Sequence, residues 1–183
     1  ASVASFKPDA VILASGARPC TLAIPGLPAE RSMTAWDVLV GTPVPAGPCL
    51  IVGAGLVGCE TADFLSDRGE TVTLVELLPE IACDADKDTK AYFDIRFQQK
   101  GVTVHTGATL VRVEDETAIV RRGDEEIRID ARTIVFSVGS RPEDSLSHQL
   151  TAAGVEVITA GDCVKPRRIL DSVREGFEAG ISV

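Results

Sequence analysis

Aromatic side chains make up only 4% of the 183 residues, so a core on this scale has to be packed from Val, Ile, Leu and Ala. That bias suits parallel strands covered by helices on both faces, in one large domain or one domain with an appendage. Histidine is limited to His105 and His148, which lack metal-ligand spacing and read as surface or edge residues. The five cysteines, Cys20, Cys49, Cys59, Cys83 and Cys163, are odd in number and form no C-x-x-C pair. A disulfide framework and a zinc site are thereby excluded, and a reducing, cytoplasmic setting is expected. No apolar run approaches the ~20 residues that cross a bilayer, and neither a secretory leader nor a membrane partner is expected. Basic residues are outnumbered, giving a formal net charge of -9 that argues against nucleic acid as a partner. The densest basic run, Lys165-Pro166-Arg167-Arg168, reads as a solvated turn ahead of a helix in preference to a nucleic-acid contact. An N-terminal Met is also lacking. Ala1 to Lys7 leads straight into a strand-like run, and the expectation is a fragment of a longer polypeptide.

What is present alternates between strand and helix. Asp9–Ser15 (DAVILAS) reads as a buried strand ending at Gly16, Arg18–Pro28 as an extended loop, Ser32–Leu39 as a short helix and Gly41–Pro48 as a punctuated linker. Cys49–Val52 is the next strand. Leu56–Arg68 follows as a helix, with Val57, Thr61, Phe64 and Leu65 at helical spacing and Gly69 as its stop. Thr71–Glu76 is a strand, Leu77–Asp84 a loop, Asp86–Lys100 a helix with Phe93 and Phe97 on one face, and Val102–His105 a strand. Three short runs between Thr109 and Asp130, split by Glu114-Asp115-Glu116 and Gly123-Asp124-Glu125, predict an antiparallel meander. Thr133–Val138 is a buried strand, Ser140–Ser147 a polar loop and Gly154–Ala160 a strand. From Ile169 onward a helix is expected, with Ile169, Val173 and Phe177 at i,i+4 spacing. The order predicts an α/β fold: a Rossmann-like three-layer domain with an antiparallel β-meander over residues 48–139, flanked by 1–47 and 140–183.

Gly53-Ala54-Gly55-Leu56-Val57-Gly58 is a G-x-G-x-x-G loop, a weak signal alone. Here a strand precedes it, a helix follows it, and Glu76 ends the next strand about 20 positions on, the three conditions for a dinucleotide site. Gly53 allows the tight turn, Gly55 lets a pyrophosphate approach the backbone, and Gly58 lets the helix pack close to the sheet. The helix N-terminus offers free N–H groups to the phosphates. Glu76 is placed to accept hydrogen bonds from the adenine ribose and to repel a 2′-phosphate, which favours NAD(H) over NADP(H) unless an arginine such as Arg96 folds over the ribose. Glu60 has two readings, a carboxylate in the first helical turn favouring the dipole or a residue facing the nicotinamide end. Arg141 is either a contact to that end or a solvated turn residue. Cys59 and Cys163 read as small core or loop residues without nucleophilic activation.

With these motifs in hand, the chain resembles the flavoproteins of the pyridine nucleotide–disulfide oxidoreductase class. Val11 to Pro19 is similar to the family's Ala-Thr-Gly strand, with Ser15 in place of Thr, and Ile24-Pro25-Gly26 to the segment that follows it. Thr133–Pro142 (TIVFSVGSRP) resembles the second such strand, and Ala160-Gly161-Asp162 the late Gly-Asp motif. Val75–Ala82, Asp162-Cys163-Val164 and Arg174–Gly180 are similar to one group, the old-yellow-enzyme-like multidomain NADH:flavin oxidoreductases. That group includes 2,4-dienoyl-CoA reductases, enoate reductases and trimethylamine dehydrogenase. The resemblance implies that residues 1–47 and 140–183 are a partial FAD-binding domain around an inserted NAD(H) domain. Ala14, Ser15, Gly16, Val138, Gly139, Gly161 and Asp162 would then lie along the cofactors, Asp162 against FAD or the matching part of a bound ADP. A turn or N-cap role for Asp162 is the alternative from the residues alone. The first FAD glycine fingerprint, the barrel, the cluster cysteines and the redox-active cysteine pair have no counterpart in this sequence. The FAD site is therefore incomplete here, and FMN and an iron–sulfur cluster are expected only in an N-terminal region outside it. The implied function is an NADH-binding module that feeds a flavin, with the remaining domains of the parent as partners. The alternative is a structural module holding ADP, because ADP and NADH share the same adenosine diphosphate.

Overall fold

The computed structural model describes residues 3–41 and 45–183. Residues 42–44 of the expected linker and the first two residues lie outside the described residues. The elements are β1 (Ala10–Leu13), β2 (Ala17–Pro19), β3 (Ser32–Thr34), α1 (Ala35–Val40), β4 (Cys49–Val52), α2 (Leu56–Asp67), β5 (Val72–Val75), α3 (Lys87–Lys100), β6 (Thr103–His105), β7 (Thr109–Glu114), β8 (Thr117–Arg122), β9 (Glu125–Asp130), β10 (Thr133–Phe136), β11 (Ser140–Pro142), α4 (Ser145–Ala152), β12 (Glu156–Thr159) and α5 (Ile169–Ile181). They fall into two units: a central one over Cys20–Gly139, and an outer one of Ala1–Pro19 with Ser140–Val183.

The central unit is built on a parallel sheet of order β3-β10-β4-β5-β6. Every residue of β4 and β10 is buried, as continuous apolar runs require when both faces of a sheet are covered. On one face Ile51, Leu74 and Val135 pack against Cys59, Ala62, Leu65, Phe93 and Phe97 of the helices. On the other, Leu50, Val52, Val75, Ile134 and Phe136 pack against Leu110, Val113, Ala118, Val120 and Ile129 of the meander β7-β8-β9. Successive residues of β4 thus feed opposite cores, the two-residue period of a strand, and the three expected layers are present. Each fully buried Leu or Ile contributes about 1.5–3 kcal/mol by leaving water. The helix ends follow from local chemistry. The Asp86 carboxylate caps α3 by accepting from the amides of Asp88 and Thr89, and Gly101 stops it at φ +69, a conformation a side chain would strain.

Local pattern misled in several places. Ser32–Thr34, expected to open a helix, pairs with β10 as β3. Thr34 is extended because it is the N-cap of α1, sharing a capping box with Asp37. Both elements lie in the central unit, Cys20–Gly139. In α2 the buried row is Gly58, Cys59, Thr61, Ala62 and Leu65, while Val57 is exposed.

In the outer unit β1 and β12 form a parallel pair, and β2 and β11 an antiparallel one. The segments read as loops at Arg18–Pro28 and Ser140–Ser147 thus each contain part of that second ladder, and the latter also begins α4. Pairing between segments so far apart in the chain leaves no local periodicity to read. Only Leu13 of β1 is buried, so it is not the fully buried strand expected. The i,i+4 spacing did mark a helix in α5, yet Ile169, Leu170, Val173, Phe177 and Ile181 are all exposed.

Candidate functional site

In the central unit the glycine loop leaves the C-terminal end of β4. Gly53 adopts φ +95, and a Cβ there would lie 2.3 Å from the Ser137 carbonyl oxygen. Its N–H donates to the Val75 carbonyl, 2.9 Å away, and the Ser137 N–H donates to Val52 at 2.8 Å. The turn is therefore fixed to the strands on both sides of β4. A Cβ on Gly58 would sit 2.0 Å from the Gly53 carbonyl oxygen, so α2 approaches the loop as closely as backbone allows.

Gly55 differs from both. It is the N-cap of α2 with φ -65 and ψ -175, a backbone any residue adopts, and a Cβ there meets only the Asp84 carboxylate, at 3.4 Å. Nothing inside the fold demands a glycine. Having no side chain, Gly55 also supplies no cap to the first-turn amides of α2, which have no intrahelical acceptor.

Glu76 follows β5 and is 9% exposed. Its Oε2 accepts from the Ala54 N–H at 2.6 Å and its Oε1 from the Leu78 N–H at 2.8 Å. The residue singled out as a ribose acceptor is thus also a clamp between the glycine loop and the loop after β5. Asp84 was missed by the sequence reading. Its Oδ1 accepts from the Leu56 N–H, the first amide of α2, at 2.8 Å. No spacing rule points to it, because its position depends on the loop doubling back. That return is set by Ala82, a non-glycine at φ +48 whose N–H donates to the Ala54 carbonyl at 2.7 Å.

Glu60 is exposed. Because α2 begins at Leu56, Glu60 lies just past the first turn, which contains no acid. The dipole reading loses its basis, since the effect fades beyond that turn. Val138 and Gly139 follow β10 beside the Gly53 turn, and the Gly139 carbonyl accepts from the Cys20 N–H at 2.9 Å. Arg96 does not reach the loop. It donates to Asp63 at 2.9 Å and to Asp67 at 2.9 Å, and Lys100 joins them at 2.7 Å from Asp63. Burial raises the Asp63 carboxyl, but Arg96 and Lys100 hold it below the usual carboxylate range.

In the outer unit Ala14-Ser15-Gly16 and Gly161-Asp162 leave the carboxyl ends of the adjacent parallel strands β1 and β12, where α/β folds place their ligands. Ser15 Oγ donates to the Glu143 carbonyl. The Gly161 N–H donates to Glu175 of α5 at 2.8 Å. Asp162 Oδ1 accepts from the Arg167 N–H at 3.2 Å, so the turn role is real whatever else Asp162 does. Arg167 pairs with Glu175, which takes one cation out of the basic run. Arg141 is an exposed strand residue.

The buried thiols of Cys49 and Cys59 are inert. Burial, aided by Glu70, pushes Cys49 up to about 11, and burial pushes Cys59 up to about 12. Exposed Cys83 is therefore expected to be alkylated by iodoacetamide at neutral pH while Cys49 and Cys59 stay unmodified in the folded chain. Peptide mass mapping after a short exposure checks this. Among the described residues no group of His, Cys, Asp or Glu is arranged to hold a metal, and no helix is long and apolar enough to cross a membrane.

Residues 2–169 match the family model for pyridine nucleotide-disulphide oxidoreductases. The chain is 33% identical to an NADH oxidase of Thermoanaerobacter brockii, over 97% of its own length and 28% of that protein. It is 31% identical to a bilirubin reductase of Mediterraneibacter gnavus, over 94% of itself and 27% of the relative. In fold it is similar to a solved 2-naphthoyl-CoA reductase, with a TM-score of 0.89 at 20% identity over 98% of this chain and 27% of that one. The chain thus spans less than a third of each of these proteins.

Proposed function

We propose, from the premise that this chain belongs to the pyridine nucleotide-disulphide oxidoreductase family, that it is the NAD(H)-binding module of a larger flavin-dependent oxidoreductase. The observation that carries this reading is Gly55. Its backbone and its neighbours accept a side chain, so its bareness serves something that approaches from outside. A pyrophosphate lying on the first-turn amides of α2, Leu56 and Val57, is such a visitor. Glu76 would hold the adenine ribose. Each of its oxygens accepts one amide and keeps a lone pair for a ribose hydroxyl. Arg96, engaged by Asp63 and Asp67, is not available to neutralise a 2′-phosphate there. Gly53, Ala54, Gly58, Val138 and Gly139 shape the turn, and Glu60 would face the nicotinamide end.

NADH held at this loop by Gly55 and Glu76 would supply a hydride for a flavin. Ala14, Ser15, Gly16, Gly161 and Asp162 are this chain's share of the FAD site, completed by residues elsewhere in the parent. We place FMN and an iron–sulfur cluster on further domains of the parent, which would reduce an activated C=C bond or a related substrate in the cytoplasm. The names of the relatives, an NADH oxidase and a bilirubin reductase, support reductive chemistry driven by NADH.

Calorimetric titration with NADH, NADPH and ADP tests the reading. NADH is expected to bind at least about tenfold more tightly than NADPH, roughly 1.4 kcal/mol. Glu76→Ala should shrink that ratio as well as weaken NADH. The ratio is the decisive readout, because loosening the Ala54 and Leu78 clamp weakens both cofactors alike. Equal binding of NADH and NADPH would sink the assignment of Glu76. Equal binding of ADP and NADH would favour a structural ADP module instead.

A further inference from the structure

We propose that the Asp84 carboxylate is a built-in competitor for the pyrophosphate position, and that it sets the affinity of the glycine loop for any ligand carrying a diphosphate. The inference rests on the dinucleotide reading above. Its basis is a juxtaposition of Asp84 with the two features that a diphosphate needs. Asp84 Oδ1 accepts from the Leu56 N–H at 2.8 Å, and both of its carboxylate oxygens lie 3.4 Å from the point where a Gly55 Cβ would be. The space left bare by Gly55 is therefore the space into which Asp84 projects, and the charge there has the sign that the helix end favours.

The placement is held by the loop as a whole. Leu78 N–H is tied to Glu76 at 2.8 Å. Ala82 is 1% exposed and donates to Ala54 at 2.7 Å, and Ala85 N–H donates to Ala82 at 3.0 Å. Ile81 is buried in the helix-side core, and Asp86 caps α3. Between these fixed points Asp84 itself is exposed. A diphosphate, with more charge and more acceptor oxygens, displaces the carboxylate, and the displaced group then stands near the phosphates as a like charge. Both effects weaken binding relative to a loop without the acid.

The test titrates this chain and its Asp84→Ala and Asp84→Asn variants with NADH, ADP and adenosine. Asp84→Ala should bind NADH and ADP about tenfold more tightly and adenosine unchanged. Asp84→Asn, which keeps the shape and one acceptor oxygen, should move the same way by less. Thermal melting without ligand confirms that both variants fold. NADH affinity that is unchanged or weaker in a folded Asp84→Ala protein would overturn the inference and leave the dinucleotide site standing. An equal gain for adenosine would also overturn it, since adenosine has no diphosphate. If neither the unaltered chain nor the variants bound NADH or ADP, the dinucleotide reading itself would fall, and this inference with it.

Discussion

Replacing Gly55 with alanine will reduce binding of NADH and ADP by on the order of 100-fold, about 2.7 kcal/mol, while the free protein melts within about 3 °C of its original temperature. The two halves of that result come from the same short stretch of backbone. A Cβ at Gly55 needs no change of backbone, since φ is -65 and ψ -175, and it finds ordinary contact with Asp84 at 3.4 Å. Only a modest loss is expected from alanine being a poorer N-cap than glycine. A diphosphate, by contrast, must come against the loop backbone where the methyl group would stand. Titration calorimetry and a melting curve on the same sample decide it. Undiminished binding would mean that the ligand lies elsewhere. A collapse in melting temperature would mean that Gly55 is required by the fold, and the observation underlying the proposed function would be lost.

Gly58→Ala should do the reverse and destabilise the protein itself. Its Cβ would lie 2.0 Å from the Gly53 carbonyl oxygen and 3.3 Å from Ser137 Oγ. Gly53 cannot yield, because its N–H is held by Val75 at 2.9 Å and its own Cβ direction is blocked by the Ser137 carbonyl. Alanine in a helix gains about 1 kcal/mol over glycine, which does not offset an overlap of backbone with side chain. A net loss of about 3 kcal/mol is expected, lowering the melting temperature by roughly 6–12 °C for a chain of this size. A melting curve followed by circular dichroism checks it. An unchanged midpoint would show that α2 can slide away from the β4 turn.

The contrast between these glycines bears on what a sequence can disclose. The parallel core was legible because Cys49–Val52 and Thr133–Phe136 are continuous apolar runs, and the meander because charged turns break Thr109–Asp130 into even pieces. G-x-G-x-x-G followed by Glu76 announced the loop. It also assigned Gly55 to the approach of a pyrophosphate and Gly58 to close helix packing, and what it left out is which atoms a Cβ at each would meet. Asp84 was illegible for a related reason. Its encounter with Leu56 depends on Ala82 adopting φ +48, which nothing about an alanine foretells. The β2–β11 ladder and α4 were lost where Pro19, Pro142 and the polar stretch around Ser145 suggested open loop. Their partners are distant in the chain, and local propensity is a weak guide to such pairing.

The ties around Ala54 have a consequence for entropy. Gly53, Ala54 and the chain from Leu78 to Ala85 are already immobilised by Val75, Glu76 and one another before any ligand arrives. The conformational freedom that a glycine-rich segment would surrender on binding is surrendered during folding instead, so association meets a smaller ordering penalty. Substitutions that slacken β5 or the turn at Ala82 would thus weaken a ligand they never touch, by returning that freedom to the unbound loop.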